Sequence, residues 1–198
     1  TLWLAVGDPA LLPAPHGGHW IANRVRLGPK PAAAAVTLPA DAVRPQPGTG
    51  LLQPVGAGRI AQQHFRYFVT LSAFHHGAHA GVADIVYPYI FAFRWGAAGE
   101  GGAGDPSVAR STALVRQWLA GFKVIRVGEE VKNYGADLKF TYRVPVVDVY
   151  LNHRLSDPWE RPRPEQGPRS LKPDPGPGEP GEAIGAVGEV SGAIAVVA

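Results

Sequence analysis

The sequence predicts a mixed α/β (α+β) fold that is rich in strands, with two or three short helices and a Pro/Gly-rich C-terminal arm. Three observations support this class. The chain has 25 Gly and 20 Pro among 198 residues, a share typical of turns and short elements. Several segments alternate apolar and polar side chains, as strands do. After Ser156 the composition changes to eight prolines between Pro158 and Pro180, which divides the chain into a domain at 1–155 and an arm at 156–198.

Two segments carry the clearest strand pattern. Residues 64–71 are rich in aromatic and β-branched side chains, which favour extended structure. The apolar residues on one face of this strand are Phe65, Tyr67, Val69 and Leu71. Residues 137–144 alternate in the same way, and Pro145 then predicts a sheet edge or a bulge, because proline cannot donate to a strand ladder. The shorter predicted strands are residues 2–6, 20–27, 122–127, 131–134 and 146–151.

Two segments are predicted to be helical. Residues 82–95 are apolar on nearly every side, and Asp84 lies near their start, where a carboxylate interacts favourably with the helix dipole. Pro88 predicts a kink or a break in this segment, because it lacks the N–H that would bond to the carbonyl of Asp84. The second helix is predicted to begin with Asp105 as its N-cap, followed by a proline, and to end at Gly121.

Three histidines between the first long strand and the first helix suggest either a turn or a metal site. Imidazoles four residues apart, as in His75 and His79, can bind one ion when they lie on a helix, and His76 lies between them. Gly77 and Gly81 argue against a helix at this point, and Gly77 supplies a position that can adopt positive φ. We therefore expect a turn, and a histidine-based metal site is the alternative.

The first helical segment also carries aromatic side chains at every second position. These are Tyr87, Tyr89, Phe91, Phe93 and Trp95. Either the segment is extended with one aromatic face, or it is a broken helix with aromatics on several sides. The rings can form core packing, or they can line a ligand pocket, since pockets are mainly aromatic and apolar with a few polar groups. In the second interpretation the ligand-binding residues are Tyr87, Tyr89, Arg94 and Trp95.

Charge and composition exclude several classes of function. The chain has 19 Lys and Arg against 16 Asp and Glu, without the clustered positive charge that nucleic-acid binding requires. It has no cysteine, so disulfides and zinc–thiolate sites are excluded. No apolar run approaches the ~20 residues of a membrane-spanning helix, and we expect no transmembrane segment.

Catalytic motifs are also lacking. There is no Gly-x-Ser-x-Gly turn, and Ser72 lies near His75 and His76 in sequence without any further sign of a catalytic triad. The glycines at 96–104 lack the Lys-Ser/Thr ending of a phosphate-binding loop. The sequence thus predicts no catalytic residues, no cofactor and no enzymatic activity.

A family resemblance is carried by Phe74-His75-His76-Gly77 and by Val82-Ala83-Asp84-Ile85-Val86-Tyr87. These residues resemble the Phe-His-Asp-Gly turn and the following helix of extracellular solute-binding proteins of ABC transporters, in the peptide- and nickel-binding class. The resemblance covers about residues 59–151. His76 replaces an acidic residue of the family turn, and Ala80-Gly81 replace the threonine that caps the family helix.

The resemblance implies a function in transport. It implies capture of a peptide or other small solute in the periplasm or outside the cell, with a membrane permease as a partner. Members of the class are much longer and close two lobes around the ligand, so we expect this chain to correspond to part of one lobe. Because Thr1 is not methionine, we expect a processed or shortened product. One alternative is an interaction protein whose proline-rich arm wraps a partner subunit, and a second is a histidine-based metal-binding protein.

Overall fold

The computed structural model describes residues 11–13, 20–29, 34–74, 76–97, 104–135 and 137–154. The strands in these residues are β1 (Leu11–Pro13), β2 (Trp20–Ala22), β3 (Val25–Leu27), β4 (Val36–Thr37), β5 (Val43–Pro45), β6 (Leu52–Pro54), β7 (Ile60–Ala61), β8 (Gln63–Val69), β9 (Leu119–Asn133) and β10 (Lys139–Leu151). The helices are α1 (Val82–Gly96), α2 (Pro106–Ser111) and α3 (Ala113–Trp118). The strand-rich α+β class and its short helices are confirmed. The predicted strand at 2–6 and the arm at 156–198 lie outside the described residues.

One antiparallel sheet of six strands organises the domain. Its strand order is β3-β8-β10-β9-β5-β6. The pairs β1–β2 and β4–β7 form two further small sheets. The single strand predicted at 20–27 is therefore wrong, because β2 pairs with β1 whereas β3 pairs with β8.

Strand β8 confirms the predicted alternation. Phe65, Tyr67 and Val69 are at most 2% exposed, and Leu71 is buried just beyond the strand. These side chains pack with Tyr89 and other residues of α1 in the main core. The opposite face of the sheet carries a smaller core around Tyr150, Leu38 and Ala61. The two longest strands and α1 therefore enclose most of the buried apolar surface.

Helix α1 is continuous through Pro88, so the predicted break is wrong, as is the alternative of an extended segment. Its start is fixed by Asp84, whose carboxylate accepts the N–H of Gly81 at 2.7 Å. Burial of Ile85 and Phe93 on the sheet side stabilises the helix on both sides of the proline. Tertiary packing of this kind outweighs a single missing hydrogen bond.

The second predicted helix forms as two short ones. Asp105 caps α2 as predicted, because its Oδ1 accepts the N–H of Ser107 at 2.6 Å. The helix stops at Thr112, whose hydroxyl donates to the carbonyl of Val108 at 2.6 Å, in addition to the backbone N–H of Thr112 at 3.0 Å; such back-bonding often bends a helix. The end predicted at Gly121 is wrong, since this residue is buried in β9, where a Cβ would lie 3.1 Å from Val55.

Four strands were predicted after the helices, but the structure has two long strands there. Strands β9 and β10 form one antiparallel hairpin, and β10 also pairs with β8 from Val146 to Leu151. Pro145 lies just before the first residue paired with β8, and it has no N–H to donate to that strand. A shift in register follows between Val146 and Val147, where the extra residue is Ile125 of β9.

No helix in the described parts of the chain is long and apolar enough to cross a membrane. This agrees with the expectation from the apolar runs of the sequence. The longest described helix is α1, with 15 residues, and it carries both Asp84 and Arg94. It packs on the sheet through one face.

We predict that Pro88→Ala stabilises the domain. Alanine restores the backbone N–H that α1 lacks, which stabilises the folded state. It also increases the conformational entropy of the unfolded chain, but this opposing effect is smaller. The free energy of unfolding in urea should rise by about 2 kcal/mol. The matched control is Pro106→Ala, at the first position of α2, where proline fits and little should change. A less stable Pro88→Ala variant would contradict this account of α1.

Candidate functional site

The four residues predicted to line a ligand wall do not share one surface. Tyr87 is 58% exposed, whereas Tyr89 is fully buried. Tyr89 stacks on Phe122 with ring centroids 5.2 Å apart, and burial raises the pKa of its hydroxyl well above the usual value. Tyr89 therefore belongs to the core, as the core-packing interpretation has it.

The other predicted wall residues lie on the outer side of α1 and near its end. The Tyr87 ring contacts that of Phe91 at 6.3 Å between centroids. The Arg94 guanidinium lies 5.1 Å from the ring centroid of Trp95, which is half-buried. The loop before β6 packs on this end of the helix, where Gly48 donates its N–H to the carbonyl of Phe93 at 3.0 Å.

The histidine segment is a turn, as predicted. Gly77 has φ of 87° and donates its N–H to the carbonyl of Phe74 at 2.9 Å. The His76 ring stacks on the Phe74 ring at 5.6 Å, and His79 is exposed. His75 lies outside the described residues. Among the residues that the structure does describe, no group of three or more His, Cys, Asp or Glu side chains could hold a metal ion.

A cleft of about 320 Å³ lies between this turn and the hairpin. We call it the histidine-turn cleft, and its lining residues are Leu71, Ser72, Ala73, His79, Ala80, Thr141, Tyr142 and Arg143. Two backbone hydrogen bonds fix its shape. Leu71 donates to the carbonyl of Arg143 at 3.1 Å, and Ala80 donates to the carbonyl of Ser72 at 3.1 Å. The turn and β10 are thereby held at a fixed separation.

The lining of the cleft combines an apolar floor with polar walls. Leu71 and Ala80 are buried, whereas His79 and Arg143 are exposed. Three hydroxyl-bearing residues, Ser72, Thr141 and Tyr142, complete the lining. A volume of about 320 Å³ falls within the range of small-molecule sites. A guanidinium and an imidazole beside hydroxyl groups suit a small ligand with a carboxylate.

A second polar cluster lies on the opposite face of the sheet and was missed from the sequence. Asp148 is 3% exposed, and Arg66 donates to both its oxygens, at 2.6 and 2.7 Å. The two residues are directly opposite each other in the β8–β10 ladder. His64 stacks on Tyr150 at 4.9 Å between ring centroids. Two features of the sequence could have revealed this cluster. Asp148 is the one carboxylate in an apolar strand, and Arg66 lies on the polar face of the alternating strand β8.

The Asp148 carboxylate is held ionised by its neighbours. Burial on its own would raise the pKa of Asp148, but the hydrogen bonds from Arg66 and the adjacent imidazole of His64 lower it to about 2. Nε2 of His64 lies 3.2 Å from Oδ2, within ion-pair distance. That nitrogen is buried and has no hydrogen-bond partner in the described residues. Asp148 and Arg66 therefore form a charged pair across β8 and β10.

Comparisons with known proteins add no family to this geometry. No family model matches the chain, and no curated protein matches it. The histidine-turn cleft and the Asp148 cluster are therefore assessed by their residues, distances and burial.

We predict that Asp148→Asn destabilises the fold in a pH-dependent way. The folded-state pKa of Asp148, about 2, lies below the usual value of 3.8, so the ionised carboxylate stabilises the protein above about pH 4. This contribution is lost as pH falls towards 2. Near neutral pH the variant should lose on the order of 2 kcal/mol of unfolding free energy.

The control is Asp41→Asn, which removes a carboxylate that is 69% exposed from its pair with Lys123. Exposed pairs of this kind contribute little, so its unfolding curve should stay close to that of the parent chain. Urea unfolding at several pH values from neutral to 2 measures both variants. A stability gap between parent and Asp148→Asn that stays constant down to pH 2 would show that the carboxylate is not the cause.

Proposed function

We propose that this chain is part of a solute-binding component of an ABC-type transporter, acting in the periplasm or outside the cell. Its ligand is a peptide or another small solute with a carboxylate. The observation that carries the proposal is the histidine-turn cleft, which is lined by the buried Leu71 and Ala80 together with Arg143, His79 and the hydroxyl-bearing residues Ser72 and Thr141. A site of this composition suits capture without chemistry.

The order of elements supports the same proposal. Strand β8 leads into the histidine turn, α1 follows, and two short helices precede the long strands β9 and β10. This is the order of the solute-binding class that the sequence resembles. The cleft also lies beside the turn that carries the resemblance, because Ser72 and His79 flank Phe74-His75-His76-Gly77 in sequence.

The binding mechanism follows from the positions of the lining residues. Arg143 provides a planar fork of donors that matches a carboxylate. Ser72 and Thr141 provide hydroxyls for the polar part of the solute, and Leu71 provides an apolar contact for its side chain. Since the cleft is open on one side, closure over the ligand would come from a second lobe, as in the class that the chain resembles. The exposed face of α1 around Tyr87 and Arg94 is a second candidate contact for the ligand.

A second candidate function is an interaction protein, and exposed apolar side chains on the hairpin favour it. Val131 and Phe140 are 59% and 44% exposed. The sequence assigns the partner contact to the proline-rich arm at 156–198, which lies outside the described residues. Deleting the arm and measuring the oligomeric state separates the two forms, since contact through the hairpin would survive the deletion.

We predict that Arg143→Ala weakens ligand binding by at least about tenfold, because a charge-assisted hydrogen bond is lost. The probes are short peptides with a free carboxyl end and the same peptides amidated at that end. Isothermal titration calorimetry should show binding of the free acids, and amidation should reduce the affinity in the parent chain.

The matched control is Arg110→Ala, which removes an exposed arginine of α2 outside the cleft. Its affinity should equal that of the parent chain. Two results would count against the proposal: no binding of any free acid, or binding that Arg143→Ala leaves unchanged.

A further inference from the structure

Within the part of the chain that the structure describes, the outer edge of β9 is open over most of its length. On this side, β9 pairs with β5 through a single residue pair, Val43 with Phe122. From Lys123 to Asn133 the described residues place no strand beside it. An open edge presents unpaired N–H and C=O groups, and proteins usually protect such edges with proline or short length. Strand β9 has 15 residues and no proline.

The backbone groups on this edge can be assigned from the end of the hairpin. Tyr134 donates its N–H to the carbonyl of Leu138 at 2.7 Å, so these two residues form a hydrogen-bonded pair. Because such pairs alternate along an antiparallel ladder, the even-numbered residues from Arg126 to Lys132, on the turn side of the register shift at Ile125, bond to β10. Val127, Glu129 and Val131 therefore direct their N–H and C=O groups outward.

Apolar and charged side chains are interspersed along this edge of β9. Ile125, Val127 and Val131 are 40%, 44% and 59% exposed. Arg126 and Glu130 lie two positions from Gly128, one on each side of it. A strand that pairs antiparallel with a second copy of itself across Gly128 would therefore place opposite charges together.

We propose that β9 pairs with β9 of a second copy of this chain, antiparallel, about a two-fold axis at Gly128. Arg126 then lies opposite Glu130 of the second copy, and this pair occurs twice because of the symmetry. Val127 lies opposite Glu129 of the second copy, and the regular register ends at Ile125, where the β9–β10 ladder shifts. The six-stranded sheet continues across the axis into its copy.

Other registers that satisfy the outward backbone groups are less favourable. An axis at Glu129 places Arg126 opposite Lys132 and Glu129 opposite itself, and an axis at Glu130 places that residue opposite itself. Like charges directly opposite each other are destabilising. An axis at Val127 forms no charge pair. An axis at Val131 places Glu130 opposite Lys132, but the Lys132 ammonium already lies 5.4 Å from the Tyr142 ring centroid of its own copy, and Arg126 is left unpaired. Gly128 is thus the axis that pairs both Arg126 and Glu130.

The local geometry at Gly128 fits an axis. Gly128 has no side chain to obstruct the close approach of a pair that is not hydrogen-bonded. The Arg126 guanidinium already lies over this position, with Nη1 3.1 Å from the place a Cβ would occupy. Glu130 receives one hydrogen bond from Arg26 through Oε1, at 2.5 Å, which leaves its Oε2 for Arg126 of the second copy.

The first test is Val127→Pro with analytical ultracentrifugation over a range of concentrations. Proline removes an outward N–H that the hairpin does not use, so the variant should fold but stay monomeric where the parent chain forms dimers. Circular dichroism checks that it folds. The control is Arg26→Ala, which breaks the pair with Glu130 inside one copy and should leave the dimer in place.

Charge reversal tests the register. Arg126→Glu and Glu130→Arg should each weaken the dimer by about tenfold or more, because each places like charges together twice. An equimolar mixture of the two variants should restore dimers, since every pair across the axis is then complementary. This test remains decisive if Val127→Pro fails to fold. A parent chain that stays monomeric at its highest soluble concentration overturns the proposal, as does a dimer indifferent to both reversals. The pairing requires no solute, so its failure leaves the proposed function untouched.

Discussion

The fold depends on a buried carboxylate in its central strand. Strand β10 is paired on both sides from Val146 to Leu151 and is buried from Val144 to Leu151, and Asp148 lies inside both runs. An unpaired charge at this depth would be very costly. Arg66 donates to both its oxygens in the register that places the two residues directly opposite each other. The same register brings the N–H of Leu71 to the carbonyl of Arg143, one of the two hydrogen bonds that frame the cleft.

Helix α1 completes the site from the other side. Its first turn begins directly after Ala80, which is buried, and the Asp84 carboxylate fixes the N–H of Gly81. The turn between β8 and α1 is thus held at both ends, by β10 and by the helix start. A rigid frame around a short polar turn is the arrangement expected of a preformed binding site, where little ordering has to be paid for on binding. The hairpin that forms the opposite wall also carries the open edge of β9.

Local features were predictable and distant pairings were not. The alternation in β8 is visible because one face is buried, and the Asp105 cap is a property of a few neighbouring residues. Pro88 and Pro145 both predict interruptions of their elements. Helix α1 nevertheless continues through Pro88 because it packs on the sheet, and β10 continues through Pro145 because it is paired with β9. The Asp148–Arg66 pair joins residues 82 positions apart, and the cleft joins the turn to β10. His79 was assigned to the turn from the sequence, but Arg143, which lines the same cleft, comes from a distant part of the chain.

The most direct test of solute capture is to observe where a ligand contacts the chain. Amide resonances of the ¹⁵N-labelled protein can be followed by NMR while a short peptide with a free carboxyl end is added. The account predicts saturable shifts at residues 71–73, 79–80 and 141–143, around the histidine-turn cleft. Shifts confined to the exposed face of α1 at Tyr87 and Phe91, or no saturable shifts at all, would contradict it.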